Sequence, residues 1–134
     1  MTSTEQPANP QPSPEPSHTE LLPSFVTIDE VMKIELRVGQ IESAERVAKS
    51  KKLVKLQVSL GETIGVRQIL AGIGPFYEPE ALVGRRVVIV ANLKPALLMG
   101  LESQGMLLAG SSDDDSVLAI VEPDQSLPLG ARVR

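Results

Sequence analysis

Lysine and arginine are the residues of this sequence best placed to do chemistry, because the types that most catalytic and metal sites require are missing. The chain has no cysteine, no tryptophan and one histidine, His18, in a proline-rich opening segment. Disulfides, thiolate metal sites, cysteine nucleophiles and histidine-based triads are therefore excluded or nearly so. We expect no bound metal, no cofactor and no enzymatic activity.

Two clusters of polar side chains are candidates for binding. Lysine is a flexible point charge that suits phosphate, so a basic loop could position a nucleic-acid backbone without reading its sequence; the alternative is a solvated charged loop. The first cluster, in the loop after the first predicted strand and on the second strand, comprises Arg46, Lys49, Lys51, Lys52 and Lys55. The second, around the loop that joins the last two core strands, comprises Asn92, Lys94, Ser103 and Gln104.

Aromatic residues, on which single strands usually stack, are scarce. The chain has only Phe25, Phe76 and Tyr77, so we expect no stacking platform. Any RNA would be held largely through phosphate, ribose and shape, with one or two exposed bases captured. Met106 could contact a base, although its spacing suits a core position equally well.

The remaining motifs do not form a catalytic set. Three consecutive acids at 113–115 lie in a serine-rich turn and lack the spacing of a calcium loop, so a solvated turn is expected. Glu78 and Glu80 flank a proline at a predicted helix start, where acids complement the helix dipole. The glycines of residues 72–74 match neither a phosphate loop nor a dinucleotide fingerprint.

Charge and proline content divide the chain into two regions. Residues 1–24 hold six of the eleven prolines and three acidic residues without a basic one, which predicts a disordered tail. Residues 25–134 form one predicted domain with 14 acidic and 13 basic residues. Because this domain is nearly neutral, any polyanion must be met by a local patch.

Period-two patterns predict the elements that position these residues. A capping box at Thr27 and Glu30 predicts a short helix over 27–33. Strands are expected at 34–41 with a bend near Gly39, and at 54–60, 66–71, 86–92 and 105–109, with a short helix over 77–82 between strands three and four. A further strand at 117–121 and an extended segment follow. This order predicts an all-β, five-stranded OB-fold barrel with an N-terminal helix and a C-terminal extension. In that fold the two clusters flank one face.

Five segments, at residues 36–39, 50–53, 67–69, 77–80 and 92–106, closely resemble a known family. The longest runs from Asn92-Leu93-Lys94-Pro95 to Ser103-Gln104-Gly105-Met106. The sequence resembles the tRNA-binding domain at the C-terminus of many bacterial methionyl-tRNA synthetases, which also occurs as a free-standing dimeric protein and in eukaryotic synthetase cofactors. The resemblance covers about residues 25–134.

The resemblance implies structure-selective tRNA binding without a reaction, by a cytoplasmic homodimer formed through residues 27–33 and 117–134. It also implies tRNA as a partner, with an aminoacyl-tRNA synthetase as a candidate second partner. The longest apolar stretches, such as residues 87–91, are far shorter than the roughly 20 residues of a membrane helix, so we expect no membrane association. The implied RNA-facing residues are Lys52, Lys55, Arg67, Asn92, Lys94, Ser103 and Met106. Arg37 and Lys51, within matching segments, complete the set that we assign to tRNA binding.

Some positions depart from the family pattern. Ala96 and Leu97 stand where basic residues are common, and Ala71 where serine is frequent, which predicts weaker binding with a smaller salt dependence. One alternative is an export-chaperone-like protein that binds peptides on the same barrel. Another is the C-terminal dimerisation and tRNA-binding part of methionyl-tRNA synthetase, with the tail as a linker; we favour a free-standing protein.

Overall fold

The computed structural model describes residues 24–134. These residues divide into two units, one ending at Val31 and the other running from Met32 to Arg134. The predicted disordered tail lies outside the described residues except for Ser24, so that expectation stays a prediction. Within residues 24–134 there is no helix long and apolar enough to cross a membrane.

The first helix, α1, comprises Ile28–Met32 and begins with the predicted capping box. The hydroxyl of Thr27 accepts a hydrogen bond from the backbone N–H of Glu30 (3.1 Å), and the Glu30 carboxylate accepts one from the N–H of Thr27 (2.8 Å). These two bonds satisfy N–H groups that have no partner within the helix. The helix ends one residue before the predicted Lys33.

The rest of the chain is built mainly from strands. In chain order the elements are β1 Leu36–Arg46, β2 Val54–Ser59, α2 Gly61–Ile64, β3 Val66–Ala71, α3 Pro79–Leu82, β4 Arg86–Val90, β5 Ala96–Leu98, β6 Leu101–Ser103, β7 Met106–Leu107, β8 Ala109–Ser111, β9 Leu118–Ile120 and β10 Arg132–Val133. Five strands follow the order β3-β2-β1-β4-β7 in one antiparallel sheet, and β10 also pairs with β1. The all-β, OB-like barrel is confirmed, with α3 between the third and fourth barrel strands as predicted.

The segment after β4 differs from the prediction. Residues 93–104 were expected to be a loop, but β5 and β6 pair there as a hairpin. The predicted strand at 105–109 is divided, because β7 pairs with β4 whereas β8 pairs with β9 in a separate hairpin. The strand predicted at 117–121 is confirmed as β9.

The long strand β1 serves two neighbours because it bends. Its first half pairs with β4 and its second half with β2, and the pairing with β2 shifts between Ile41 and Ser43, which marks a bulge two residues beyond the predicted bend. A side chain at Gly39 would place Cβ 2.9 Å from Cδ2 of Leu60. Glycine therefore permits the close approach that brings the two halves of the barrel together.

The barrel interior is filled by alternate residues of the central strands. Val54, Leu56 and Val58 of β2 are fully buried, while the residues between them face outward. Leu82 of α3 joins this core, as do buried side chains from β1, β3 and β4. Burying each such side chain contributes roughly 1.5 to 3 kcal/mol, so the core holds the outward face of β2 in place.

The barrel closes between β3 and residues 101–107 through side chains as well as backbone groups. The backbone N–H of Gln104 donates to the carbonyl of Gln68 (2.7 Å), and the N–H of Gln68 donates to the side-chain oxygen of Gln104 (2.9 Å). The hydroxyl of Ser103 accepts from the N–H of Leu70 (3.0 Å) and donates to the carbonyl of Gly105 (3.1 Å). Ser103 is only 6% exposed, so these bonds are made away from water.

We predict that Ser103→Ala lowers the free energy of unfolding by about 1 to 3 kcal/mol, because it leaves the buried N–H of Leu70 without its acceptor. Urea denaturation followed by circular dichroism measures the change. Ser126→Ala is the matched control, since Ser126 is exposed and makes no side-chain hydrogen bond within the described residues. A loss no larger than that of the control would contradict the proposed role of Ser103 in closure.

Candidate nucleic-acid interface

The loop between β1 and β2, residues 47–53, is held in one shape by the hydroxyl of Ser50. This hydroxyl accepts hydrogen bonds from the backbone N–H groups of Lys52 (3.3 Å) and Leu53 (3.0 Å). The N–H of Val47 donates to the carbonyl of Leu53 (3.1 Å) and closes the base of the loop. We call residues 47–53 the cationic loop, because its exposed part carries Lys49, Lys51 and Lys52.

The turn at residues 72–75 supports the cationic loop from behind. The N–H of Gly74 donates to the carbonyl of Lys52 (2.8 Å), and a Cβ at Gly74 would lie 2.8 Å from that same oxygen. The Arg46 guanidinium donates to the carbonyl of Gly74 (2.9 Å) and lies 3.4 Å from the Glu78 carboxylate. The backbone that carries Lys51 and Lys52 is therefore fixed.

The basic residues of the first cluster differ in how free their charges are. Among residues 24–134, Lys49, Lys51 and Lys52 have no ion-pair partner, whereas Lys55 lies 3.3 Å from the carboxylate of Glu45. An exposed ion pair of this kind is worth little and is easily exchanged for another anion. The cationic loop therefore offers three uncompensated charges, and Lys55 a fourth that is already paired.

The second cluster lies around the β5–β6 hairpin, which has an apolar tip. Met99 and Gly100 both have positive φ, 53° and 79°, as a tight two-residue hairpin turn requires. Leu97 is 74% exposed and Met99 57% exposed, so these side chains face solvent. Lys94, just before the hairpin, is exposed and makes no ion pair with any described residue.

Asn92, which the family resemblance implies as RNA-facing, uses its side-chain amide within the fold. Its oxygen accepts a hydrogen bond from the N–H of Glu35 (2.9 Å), and its nitrogen donates to the carbonyl of Lys33 (2.7 Å). These two bonds join the end of β4 to the segment before β1. The position of Asn92 therefore fixes where Lys94 leaves the sheet.

Both predicted arginines also bind backbone groups of the chain. The Nη1 atom of Arg67 donates hydrogen bonds to the carbonyls of Ala91 (2.7 Å) and Gln104 (3.3 Å). The guanidinium of Arg37 donates to the carbonyl of Gly130 (3.0 Å) and is half-buried. Arg67 thus supports barrel closure, and Arg37 attaches the C-terminal segment to β1. Ser103, as described above, is buried in the same closure.

The structure brings part of the predicted set together on adjoining surfaces. Lys52 lines one groove and Met106 lines a second, and the two grooves share Gly72 and Leu118. Met106 is 46% exposed, so it is available for contact rather than buried in the core. The polar outer faces of β2 and β3 continue to β6 through hydrogen bonds that run from Gln57 to Gln68 and from Gln68 to the carbonyl of Glu102.

Sequence reasoning did not place Phe76 in the groove of Lys52. Phe76 is 39% exposed and follows the turn that supports the cationic loop. The one signal in the sequence was that aromatic residues are scarce, so any exposed aromatic ring is unusual. Placement beside Lys52 depends on the contact between residues 52 and 74, which are distant in sequence.

The acidic residues at 113–115 form the solvated turn expected from the sequence. Hydrogen bonds from the Ser116 hydroxyl, the Ser112 hydroxyl and the Ser116 N–H lower the pKa of Asp114 to about 2. Each of these bonds favours the ionised form of the carboxylate. Across residues 24–134 no group of three or more potential metal-ligating side chains is present.

An OB-like barrel with a fixed basic loop and a second exposed hairpin places the chain in the class of small OB-fold binding modules. Comparison with known proteins gives the family. The chain matches the family described as "Putative tRNA binding domain" over residues 36–132, and it belongs to this family.

Two relatives similar in sequence are synthetases. The chain is 52% identical over 109 residues to methionine–tRNA ligase of Clostridium acetobutylicum, and the aligned region covers 81% of this chain and 17% of the ligase. It is 48% identical over 120 residues to the same enzyme of Bacillus subtilis, and this aligned region covers 90% of this chain and 17% of the ligase. The chain therefore spans about a sixth of the length of these relatives.

Two solved structures resemble the barrel along most of its length. A MetRS related protein from Pyrococcus horikoshii superposes with a TM-score of 0.77 and 36% identity, covering 83% of this chain and 99% of that one. The chaperone CsaA from Bacillus anthracis superposes with a TM-score of 0.74 and 26% identity, covering 83% of this chain and 100% of that one. Both small proteins thus have the extent of the described barrel.

We predict that Asn92→Ala and Lys94→Ala separate structural from surface roles within one segment. Asn92→Ala removes two hydrogen bonds and should lower the free energy of unfolding by about 1 to 3 kcal/mol. Lys94→Ala should change it by less than about 0.5 kcal/mol, since the side chain is exposed and unpaired among the described residues. Urea denaturation of both variants is the measurement; a loss below about 0.5 kcal/mol for Asn92→Ala would show that Asn92 is not structural.

Proposed function

We propose that this chain binds tRNA without catalysing a reaction, and that it selects the RNA by folded shape and backbone rather than by sequence. The observation that carries the proposal is the family match, which covers residues 36–132 and so nearly the whole barrel. The exposed lysines of the cationic loop support it, because point charges on a fixed backbone suit phosphates. With tRNA as its ligand, we place its action in the cytoplasm.

The hydrogen bonds divide the predicted residues into two proposed roles. We assign RNA contact to the exposed residues Lys51, Lys52, Lys94 and Met106, together with Lys55, which would exchange Glu45 for a phosphate. We assign positioning to the residues whose polar groups bind the chain itself, namely Arg37, Arg67, Asn92 and Ser103. Substitution of a positioning residue should then affect binding through the fold.

The proposed preference for folded RNA follows from two features of the surface, the small number of aromatic side chains and the separation of the lysines. Base-by-base readout of a single strand requires a row of aromatic side chains, and this chain has three aromatic residues in total. Lysines separated along a bent barrel instead suit phosphates that the fold of the RNA holds at matching positions. The near-neutral charge of residues 25–134 predicts modest affinity that depends on local contacts.

We further propose that the chain forms a homodimer and acts alone or in trans with a methionyl-tRNA synthetase. Apolar side chains exposed on and beside α1, among them Ile28 at 71% and Ile34 at 48%, support self-association. Val117 and Leu127 in the C-terminal part are also exposed. The relatives support a link to the synthetase, because the chain matches one sixth of that enzyme and would supply RNA binding to the remainder, in the same chain or in another.

A peptide-binding, chaperone-like protein is the second candidate. The observation that favours it is the apolar hairpin tip, where Leu97 and Met99 are more than half exposed, together with the structural similarity to the chaperone CsaA. Apolar side chains at this position would bind an unfolded peptide better than a phosphate. The two candidates differ in the salt dependence of binding.

We predict that folded bulk tRNA binds more tightly than an unstructured RNA of equal length or an unfolded peptide, and that affinity falls as salt rises. Lys52→Ala and Lys94→Ala should each weaken tRNA binding by about 0.5 to 1.5 kcal/mol, since each removes one charge-assisted contact. Fluorescence anisotropy titrations at several salt concentrations measure both effects.

Lys52→Arg and Lys94→Arg are the controls for these variants, because each keeps a positive charge at the substituted position. Their affinity for tRNA should stay near that of the unsubstituted chain. A melting temperature that falls in step with affinity would show that the lysines are structural. Tighter binding of the peptide, with little response to salt, would favour the chaperone-like candidate.

We predict a solution mass near twice the 14.4 kDa of one chain at micromolar concentration. Burial of the apolar side chains exposed on α1 and in the C-terminal part supplies the physical reason. Multi-angle light scattering gives the mass, and Ile28→Glu should lower it by placing a charge in the interface. A monomeric mass for the unsubstituted chain would contradict the proposed dimer. It would not test RNA binding, which the titrations measure separately.

A further inference from the structure

The groove that contains Lys52 combines an aromatic ring, a cation and hydrogen-bonding residues in one place. Phe76 and Pro75 form part of its lining together with Lys52, and the other lining residues are Gly72, Ser111, Asp115 and Leu118. Its volume is about 330 Å³, at the small end of the range for ligand sites in proteins. We call this depression the aromatic groove.

We propose that the aromatic groove takes one unpaired base of the bound RNA, stacked on the ring of Phe76, with an adjacent phosphate on Lys52. This inference rests on the proposed function and names the part of the RNA that this surface recognises. A flat base requires a flat apolar partner, and Phe76 is the exposed aromatic ring of the unit that runs from Met32 to Arg134.

The backbone that carries the ring of Phe76 is held in place before any ligand binds. The N–H groups of Phe76 (2.9 Å) and Tyr77 (3.1 Å) both donate to the carbonyl of Ile73, which closes a tight turn after buried residues. The next residue, Tyr77, is anchored as well, because its hydroxyl accepts a hydrogen bond from the N–H of Ile120 (3.2 Å). A platform ordered in advance loses little entropy when a base stacks on it.

The backbone of Lys52 is also joined to the turn that precedes the ring. The carbonyl of Lys52 accepts the N–H of Gly74, two residues before Phe76. The lysine ammonium can therefore meet the phosphate of a nucleotide whose base lies on the ring, as stacking platforms beside a basic groove do for single strands. Ser111 and Asp115 add a hydroxyl and a carboxylate to the lining, residue types that accept hydrogen bonds from the amino groups of bases.

The aromatic groove is continuous with the surface proposed for RNA. It shares Gly72 and Leu118 with the neighbouring groove, which Met106 and Leu70 line. A chain of nucleotides that leaves the aromatic groove in this direction would reach Met106. This continuity favours an unpaired base of the same RNA over an unrelated small ligand.

Tryptophan fluorescence tests the inference directly, because the chain has no tryptophan of its own. Phe76→Trp places a single indole in the groove, and Phe25→Trp places one at the other phenylalanine, which is 98% exposed and lines none of the grooves described above. We expect folded bulk tRNA to quench the indole at 76 and to leave the indole at 25 much less affected. A blunt RNA duplex without unpaired bases should leave both nearly unchanged.

Affinity gives the second measurement. Phe76→Leu keeps an apolar side chain but removes the ring, so we expect binding of bulk tRNA to weaken about tenfold while binding of the blunt duplex is unchanged. Phe76→Tyr should retain the affinity, and Phe25→Leu makes the same chemical change at a residue that does not line the groove. Melting curves check that each variant is folded; should Phe76→Leu not fold, the fluorescence of Phe76→Trp still decides.

The possible results separate this inference from the proposed function. If the unsubstituted chain binds no tRNA, both the proposed function and this inference are wrong. If Phe76→Leu binds tRNA normally and the indole of Phe76→Trp is not quenched, base binding in the aromatic groove is contradicted, while RNA binding by the lysines stands. Quenching by an unfolded peptide equal to that by tRNA would show that the groove takes peptides and would overturn the inference.

Discussion

Barrel closure between β3 and residues 101–107 is the constraint on which the arrangement of the binding surface depends. The last barrel strand that pairs with β4 has only two residues, so a regular ladder is too short to close the sheet. Ser103 and Gln104 instead bind backbone groups of β3, and Arg67 binds carbonyls on the opposite side of the seam. Because unsatisfied buried backbone groups are costly, these side chains determine where the β5–β6 hairpin lies.

The sequence predicted the architecture well because period-two alternation is strong in the central strands. β2 alternates buried and outward residues along its whole length, and β3 has the predicted bounds of 66–71. The prediction was wrong after β4, where a proline and a glycine suggested a loop at 93–104 and a hairpin is present. Its turn uses positive φ at Met99, a residue type that gives little warning of that conformation.

The candidate site was less predictable than the fold, because residue type does not reveal what a polar group binds. Asn92 and Lys94 are both polar, exposed and two positions apart, yet the amide binds two backbone groups and the ammonium binds none of the described residues. A motif that identifies this family thus contains residues that build the barrel as well as residues that remain free. Long-range hydrogen bonds, which join Asn92 to positions 33 and 35, decide between the two roles.

A nearly neutral barrel can still bind a polyanion when its few free charges are fixed. Each of the three unpaired lysines of the cationic loop has a flexible side chain, but the backbone beneath them is held by Ser50 and Gly74. Ordering this backbone before binding reduces the entropy lost when phosphates are bound, so fewer charges suffice. The same ordering is the physical basis of the proposed preference for folded RNA, since a flexible strand would have to lose entropy of its own to match positions that the protein does not move.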